Sequence, residues 1–302
     1  MYKKILVPTD FSRPALAAGE LAIELASLFN AEVHFFHKIS LPPKWDDFSE
    51  EQKALYPEVG KRLKYMHNNF AALRKRYRDS HVKISTTYSG GDIVPTISRY
   101  IDEEEIYMII MGSHGTSGLK EIVYGSNAQK IVRHAHCPVL VIKQPVDDAS
   151  FKNVVFASDF SEEARGPFTK MLEFARRFNA HVHLLQIAAY PRFEVTEEDV
   201  VRMESFAADC PLPHTIHGVG DLAIGEGIEF FAKKYKADIV SLANYGGSVL
   251  KRALKGSVSE SMVKHLDLPV LVLNTQNTPY MPPEEETNAE PASEPLWNFA
   301  TL

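Results

Sequence analysis

Unbroken apolar runs and helically spaced apolar residues alternate along this chain. Ile5 to Val7, Ile106 to Met111 and Val139 to Ile142 are short and apolar throughout, as strands buried on both faces are. Leu16, Ala17, Leu21, Leu25 and Leu28 recur instead at helical spacing. Ser12 is placed to cap that helix, Pro14 falls near its first turn, and Asn30 stops it. Val33 to Ile39 reads as a second strand. The stretch 41–60 reads as irregular or briefly helical, and 62–78 as a helix rich in basic residues. Val82 to Thr87 is the third strand, Gly90-Gly91-Asp92 leads into a helix over 93–102, and Gly125-Ser126 opens the helix before the last strand. This alternation predicts an α/β fold with a doubly wound, five-stranded parallel sheet. Such sheets bind ligands beyond the carboxyl ends of their strands, where the strand order reverses.

The pattern occurs twice. Lys3 to Ser12, KKILVPTDFS, returns 149 positions later as Lys152 to Ser161, KNVVFASDFS. Leu28-Phe29-Asn30-Ala31 returns at the same offset as Arg177-Phe178-Asn179-Ala180. Cys137-Pro138-Val139-Leu140-Val141 returns only 131 positions later, as Leu268-Pro269-Val270-Leu271-Val272. One fold has been duplicated, with a segment shortened by 18 residues in the second copy. The expected domains are 1–145 and 150–275, joined by a linker around Lys143 to Ser150, with a disordered acidic tail over 276–302. The last strand of each copy is strongly apolar and expected at a sheet edge, so the two are expected to pair within the chain. The result is a pseudo-dimer able to dimerise again.

Charge and cysteine content narrow the partners. Net charge is -6, but Pro282 to Leu302 holds five glutamates and no Lys or Arg, leaving the remainder near neutral. That gives no global case for nucleic acid. No apolar run approaches the roughly 20 residues of a membrane span, and with a strand expected directly from the N-terminus no leader is expected. Cys137 and Cys210 stand at non-equivalent places in the two repeats, which suits a reduced, cytoplasmic setting rather than a disulfide.

Candidate chemistry sits after the strand 106–111. Gly112-Ser113-His114-Gly115, nine residues and Gly125-Ser126 make a glycine-rich loop feeding a helix N-terminus. Glycines let backbone N–H groups approach an anion, and the first amides of the helix lack partners at the positive end of its dipole. Asp10 ends the neighbouring first strand, where its carboxylate can accept from a ribose hydroxyl or an adenine amine. Pro8 and Thr9 before it and Asn127 after Ser126 complete the candidate set.

The pattern G-x2-G-x9-G-[ST], with its apolar strand, helix and closing Pro138-Val139-Leu140-Val141-Ile142, resembles the universal stress protein family, as does the opening KKILVPTDFS. The likeness covers both repeats. It implies an adenine-nucleotide-binding fold and a regulatory role in a stress response. It assigns Asp10, Met111, Gly112, Gly115, Gly125 and Ser126 to the surroundings of ATP, with Mg2+ or Mn2+ on the phosphates. ATP-binding relatives pack an apolar side chain near the end of the second strand on adenine; here Lys38 holds that place, after His37. The second copy departs further. Its loop reads Ala243-Asn244-Tyr245-Gly246 and then Gly256-Ser257, so the first glycine is lost and the nucleotide is expected in the first domain.

Other readings stay in view. Asp10 and Asp159 can act as turn caps, and Gly112 can serve a tight turn. His134, His136 and Cys137 crowd a helix end, but structural zinc wants four ligands and no matching set stands elsewhere. Arg74-Lys75-Arg76 with Arg78 reads as a solvated face, and Trp297 and Phe299 in the tail as a docking motif or as nothing. No G-x-G-x-x-G follows the first strand, and no P-loop or nucleophile elbow occurs, so no enzymatic activity beyond slow ATP hydrolysis is expected. A scaffold binding no nucleotide, with an unidentified protein partner, is the alternative.

Overall fold

The computed structural model describes residues 3–113, 126–189, 194–221, 223–244, 262, 266–274 and 296–301. They form two compact units, Met1–Ile131 with Gln144–Asp147, and Val132–Lys143 with Asp148–Leu302. Unit 1 runs β1 (Lys3–Pro8), α1 (Arg13–Phe29), β2 (Ala31–Lys38), α2 (Glu50–Ala54), α3 (Pro57–Arg76), β3 (Ile84–Ser89), α4 (Ile93–Glu104), β4 (Ile106–Gly112) and the start of α5 (Ser126–His134). Its strands are parallel in the order β4-β1-β2-β3, with Ile5 opposite both Val33 and Met108. The chain winds outward from β1 to β3 and then returns to β1's other side, so the order reverses between β1 and β4.

Local chemistry explains these elements. Ser12 Oγ accepts the Ala15 N–H at the start of α1, and Asn30 ends the helix in the left-handed region with its N–H on the Ala26 carbonyl. The chain passes straight from Asn30 into β2. Phe35 and His37 point to the face covered by α1 and α3, where Phe35 stacks near Tyr77 and His37 near Phe11. Phe36 and His34 point to Tyr100 of α4 on the opposite face. Helices on both faces bury the central strands, and Ile5, Leu6, Val7 and Ile109 are inaccessible to solvent. The irregular stretch resolves into a short 3-10 turn at Trp45–Asp47 and α2, which a Ser49–Gln52 capping box starts. The basic helix begins at Pro57, five residues earlier than its charge pattern suggests, because Pro57 itself opens the first turn.

Unit 2 contains β5 (Val139–Ile142), β6 (Asn153–Ala157), α6 (Arg165–Arg176), β7 (His181–Ala189), α7 (Glu197–Ala208), β8 (His214–Asp221), α8 (Ile224–Lys234), β9 (Ile239–Asn244), β10 (Val270–Asn274) and β11 (Leu296–Thr301). The order is β11-β8-β7-β6-β9-β10-β5, parallel except for the last pair. There Val270, Leu271 and Val272 run antiparallel to Val141, Leu140 and Val139. This ladder places 139–142 with unit 2, although in sequence it closes the first repeat. The tail also departs from the expectation of disorder: 296–301 pairs in parallel with β8, Leu296 opposite Thr215 and Thr301 opposite Gly220. A β-prone segment thus satisfies an edge whose backbone groups would otherwise face water. Among the described residues no helix is long and apolar enough to cross a membrane.

Candidate nucleotide site

The reversal between β1 and β4 brings Asp10 and Gly112 to one edge of unit 1. Thr9 continues β1 by donating its N–H to the Phe36 carbonyl at 2.8 Å. Thr9 Oγ1 accepts the Phe11 N–H at 3.0 Å, and Asp10 Oδ1 accepts the Ser12 N–H at 3.0 Å. These two bonds close a tight turn in which Phe11 takes a left-handed φ of 63°. That conformation is costly for a bulky residue, and packing compensates. The Phe11 ring is buried, stacks on His37 at 4.8 Å and meets Phe70 edge-on at 5.3 Å. His37 Nδ1 donates to the Thr9 carbonyl at 2.7 Å. His37 therefore holds the turn from below, a role no motif announces.

Gly112 has a packing reason of its own. A Cβ there would lie 2.8 Å from the carbonyl carbon and Cβ of Pro14, in the first turn of α1. The end of β4 and the start of α1 consequently touch through backbone. Pro8 is half-buried and Thr9 buried, whereas the Met111 side chain is in the core, so only Met111's backbone can face a ligand. Lys38 is exposed at the last position of β2, and Asn127 is exposed in the first turn of α5, which Ser126 opens. Gly115 and Gly125 lie outside the described residues. The described candidates therefore gather at the carboxyl edge of the sheet: Pro8, Thr9 and Asp10 beyond β1, Met111 and Gly112 at the end of β4, and Lys38 at the end of β2.

Unit 2 repeats the turn without the glycine. Ser158 N–H meets the Leu185 carbonyl at 3.1 Å, Ser158 Oγ accepts from Phe160 at 3.0 Å, and Asp159 Oδ1 accepts from Ser161 at 3.1 Å. Phe160 again has a positive φ, of 54°, and its ring is buried against Phe206. Gln186 stands where His37 stands in unit 1, buried and with Oε1 lacking a hydrogen bond among the described residues. The Asx-type turn is thus a property of the fold that both halves keep.

The strongly shifted titratable groups lie away from this edge. At the amino end of β2, burial raises the Glu32 carboxyl, but Lys83 and His34 more than offset it and hold it below the usual range. His34 bridges Glu32 and Tyr100 at 2.8 Å each, and burial, with Glu104 and Glu32 nearby, pushes the Tyr100 hydroxyl up to about 12. No group of three or more His, Cys, Asp or Glu side chains converges among the described residues, His134, His136 and Cys137 included.

A family model described as the Universal stress protein family matches residues 1–143 and again 150–274. A universal stress protein of Methanocaldococcus jannaschii is 33% identical over 153 residues, covering 48% of this chain and 84% of that protein. A second from the same organism is 30% identical over 162 residues, covering 48% of this chain and 96% of that protein. Among solved structures, a universal stress protein from Archaeoglobus fulgidus DSM 4304 superposes with a TM-score of 0.68 at 21% identity, covering 90% of this chain and 98% of that one. That last likeness is one of fold, and it extends across both halves.

Proposed function

The chain belongs to the universal stress protein family, and from that premise we propose that unit 1 binds ATP or another adenine nucleotide at the carboxyl ends of β1 and β4. The observation that carries this reading is that Asp10 and Gly112 stand at the carboxyl ends of the adjacent strands β1 and β4, at the strand reversal where doubly wound sheets take ligands. Gly112 also begins the spacing G-x2-G-x9-G-S that ends at the first residue of α5. Asp10 accepts from a ribose hydroxyl while keeping its Ser12 bond through the other oxygen. Pro8, Thr9 and the Met111 backbone border the base, and Lys38 lays its stem across it. Gly115, Gly125, Ser126 and Asn127 take the phosphates at the positive end of α5. A Mg2+ or Mn2+ ion would be carried in with the nucleotide, supplying charge neutralisation for the phosphates. Occupancy regulates, in the cytoplasm, by changing the surface that the loop after Gly112 offers to a protein partner, and no chemical step is assigned to the chain.

One observation favours a second reading, a scaffold with no nucleotide. Asp159 makes the same turn in a unit whose glycine is lost, so the visible bond of Asp10 needs no ligand to explain it. The deciding experiment is to purify the chain without added nucleotide, denature it, and identify the released small molecules, then to record a thermal shift with MgATP. About one adenine nucleotide per chain, or a clear upward shift, supports binding. An empty pocket and no shift establish the scaffold.

A further inference from the structure

The third strand of each unit lies outside the second, β3 beside β2 and β8 beside β7. In unit 2 this edge carries a further strand, 296–301. In unit 1 the equivalent edge is bare: among the described residues β3 pairs with β2 alone. Nothing in Ile84–Ser89 protects it, for ISTTYS contains no proline, glycine or charge and is rich in β-prone residues. Fold duplication therefore leaves one edge filled and its counterpart open.

Charge says what fills it. Along β3 lies α3, tied to it by Arg74 Nη1 on Thr86 Oγ1 at 2.5 Å and by His67 against Tyr88. Residues 57–80 hold seven Lys or Arg against Glu58 and Asp79; Lys64, Arg74 and Lys75 are exposed, while Arg76, exposed too, already pairs with Glu20 of α1. The helix before β8 is opposite in sign, with five acids over 197–209 against Arg202 alone. The segment that supplies β11 carries five glutamates and no cation over 282–302. Its described part, 296–301, pairs with the strand that follows that acidic helix, and tethering keeps it there by raising its local concentration. Its electrostatic complement is the α3 and β3 edge.

We propose that the open edge of β3 is a docking site for residues 282–302 of a second copy of this chain, added as a parallel strand with its glutamates against the α3 cations. This is an interaction surface separate from the nucleotide site and independent of whether nucleotide binds. The duplication also sets the register. His34 and His183 correspond, with Ser85 and Thr215 as their partners. Leu296, opposite Thr215 on β8, therefore falls opposite Ser85 on β3, and Phe299 falls opposite Tyr88. Two copies exchanging tails reciprocally close into a dimer.

The test adds a synthetic peptide of residues 282–302 to the full chain and reads amide hydrogen exchange at β3 and β8. We expect about tenfold slower exchange at Thr86 to Ser89, lost when the peptide's five glutamates are glutamines, lost at high salt, and lost in the Arg74→Glu/Lys75→Glu variant. Slowing confined to β8, no slowing, or equal slowing by the glutamine peptide overturns the proposal. Sedimentation of the full chain across concentration gives a second reading: a dimer dissociated by excess peptide supports tail exchange, and a chain monomeric at every concentration overturns it.

Discussion

Asp10 has two jobs to separate, the Ser12 N–H it already accepts and the ribose hydroxyl assigned to it. Asp10→Asn keeps an oxygen for Ser12 and removes only the charge. A charge-assisted hydrogen bond is worth about 1.5–3 kcal/mol, so we expect about a 10- to 100-fold loss of ATP affinity in titration calorimetry with little change in melting temperature. Asp159→Asn, in the same turn of unit 2, is expected to change neither. Gly112 poses the reverse problem, because its small size is needed by the protein before any ligand arrives. The atoms a Cβ would strike belong to the backbone and ring of Pro14, which cannot rotate away. Gly112→Ala is therefore expected to cost about 1–3 kcal/mol of unit 1 stability in urea denaturation, whether or not nucleotide is present. At Gly218 a Cβ would meet instead the end of the Val195 side chain, 2.8 Å from its Cγ2. A side chain can shift, so Gly218→Ala is expected to cost less.

At the scale of elements, the two units differ most in what they bury on their second strand and its neighbour. His181, His183 and His217 lie on one face of β7 and β8 under α8, with His183 Nδ1 3.2 Å from His217 Nε2 and His181 Nε2 2.5 Å from Thr215 Oγ1. Phe231 and Tyr235 cover them, and Lys234 is the cation nearby. Burial, with His181 and His217 adding repulsion, lowers His183 to about 3, and burial with His181 and Lys234 lowers His217 to about 4. A folded pKa below the unfolded value means the unfolded state takes up protons first. Unit 2 is thus fully stable above about pH 6.5 and loses at most about 1.4 kcal/mol per pH unit for each histidine below it, levelling off below the folded values. In unit 1 the shift of Glu32 has the opposite origin: its depressed carboxyl contributes stability that is lost only as pH falls through the folded value, below 4.5. Hydrogen exchange corrected for intrinsic rates is therefore expected to show unit 2 opening before unit 1 between about pH 6 and pH 4.5. Replacing His183 by Leu together with His217 by Phe is expected to remove most of the difference. Periodicity made the parallel sheet, the helix cap at Ser12 and the stop at Asn30 legible, since each is set by neighbours in sequence. It did not reveal the histidine pair, the grip of His37 on Thr9 or the strand at 296–301, because each depends on which strand lies alongside. Gly112 was legible as a required glycine, yet its contact with Pro14 arises only once β4 and α1 are packed.

Across the whole molecule, duplication supplies an internal control that a single-domain relative lacks. Both units keep the sheet order, the Asx-type turn and the positive φ after the aspartate, so these features are common and cannot by themselves distinguish a binding unit from a structural one. What differs is the loop sequence: Gly112 and Gly115 in one, Ala243 and Gly246 in the other. If that difference decides occupancy, ligand stabilisation must be confined to one unit. A ligand at 100 times its dissociation constant adds about 2.7 kcal/mol to whatever it binds. MgATP is therefore expected to slow exchange of the β1 and β4 amides about 100-fold while leaving those of β6 and β9 unchanged, with saturation at one equivalent per chain. On the proposed reading Gly115→Val is expected to abolish the effect and Gly246→Val to leave it intact. Equal slowing in both units would mean that the loss of the first glycine does not close the second pocket, and stoichiometry would then rise to two.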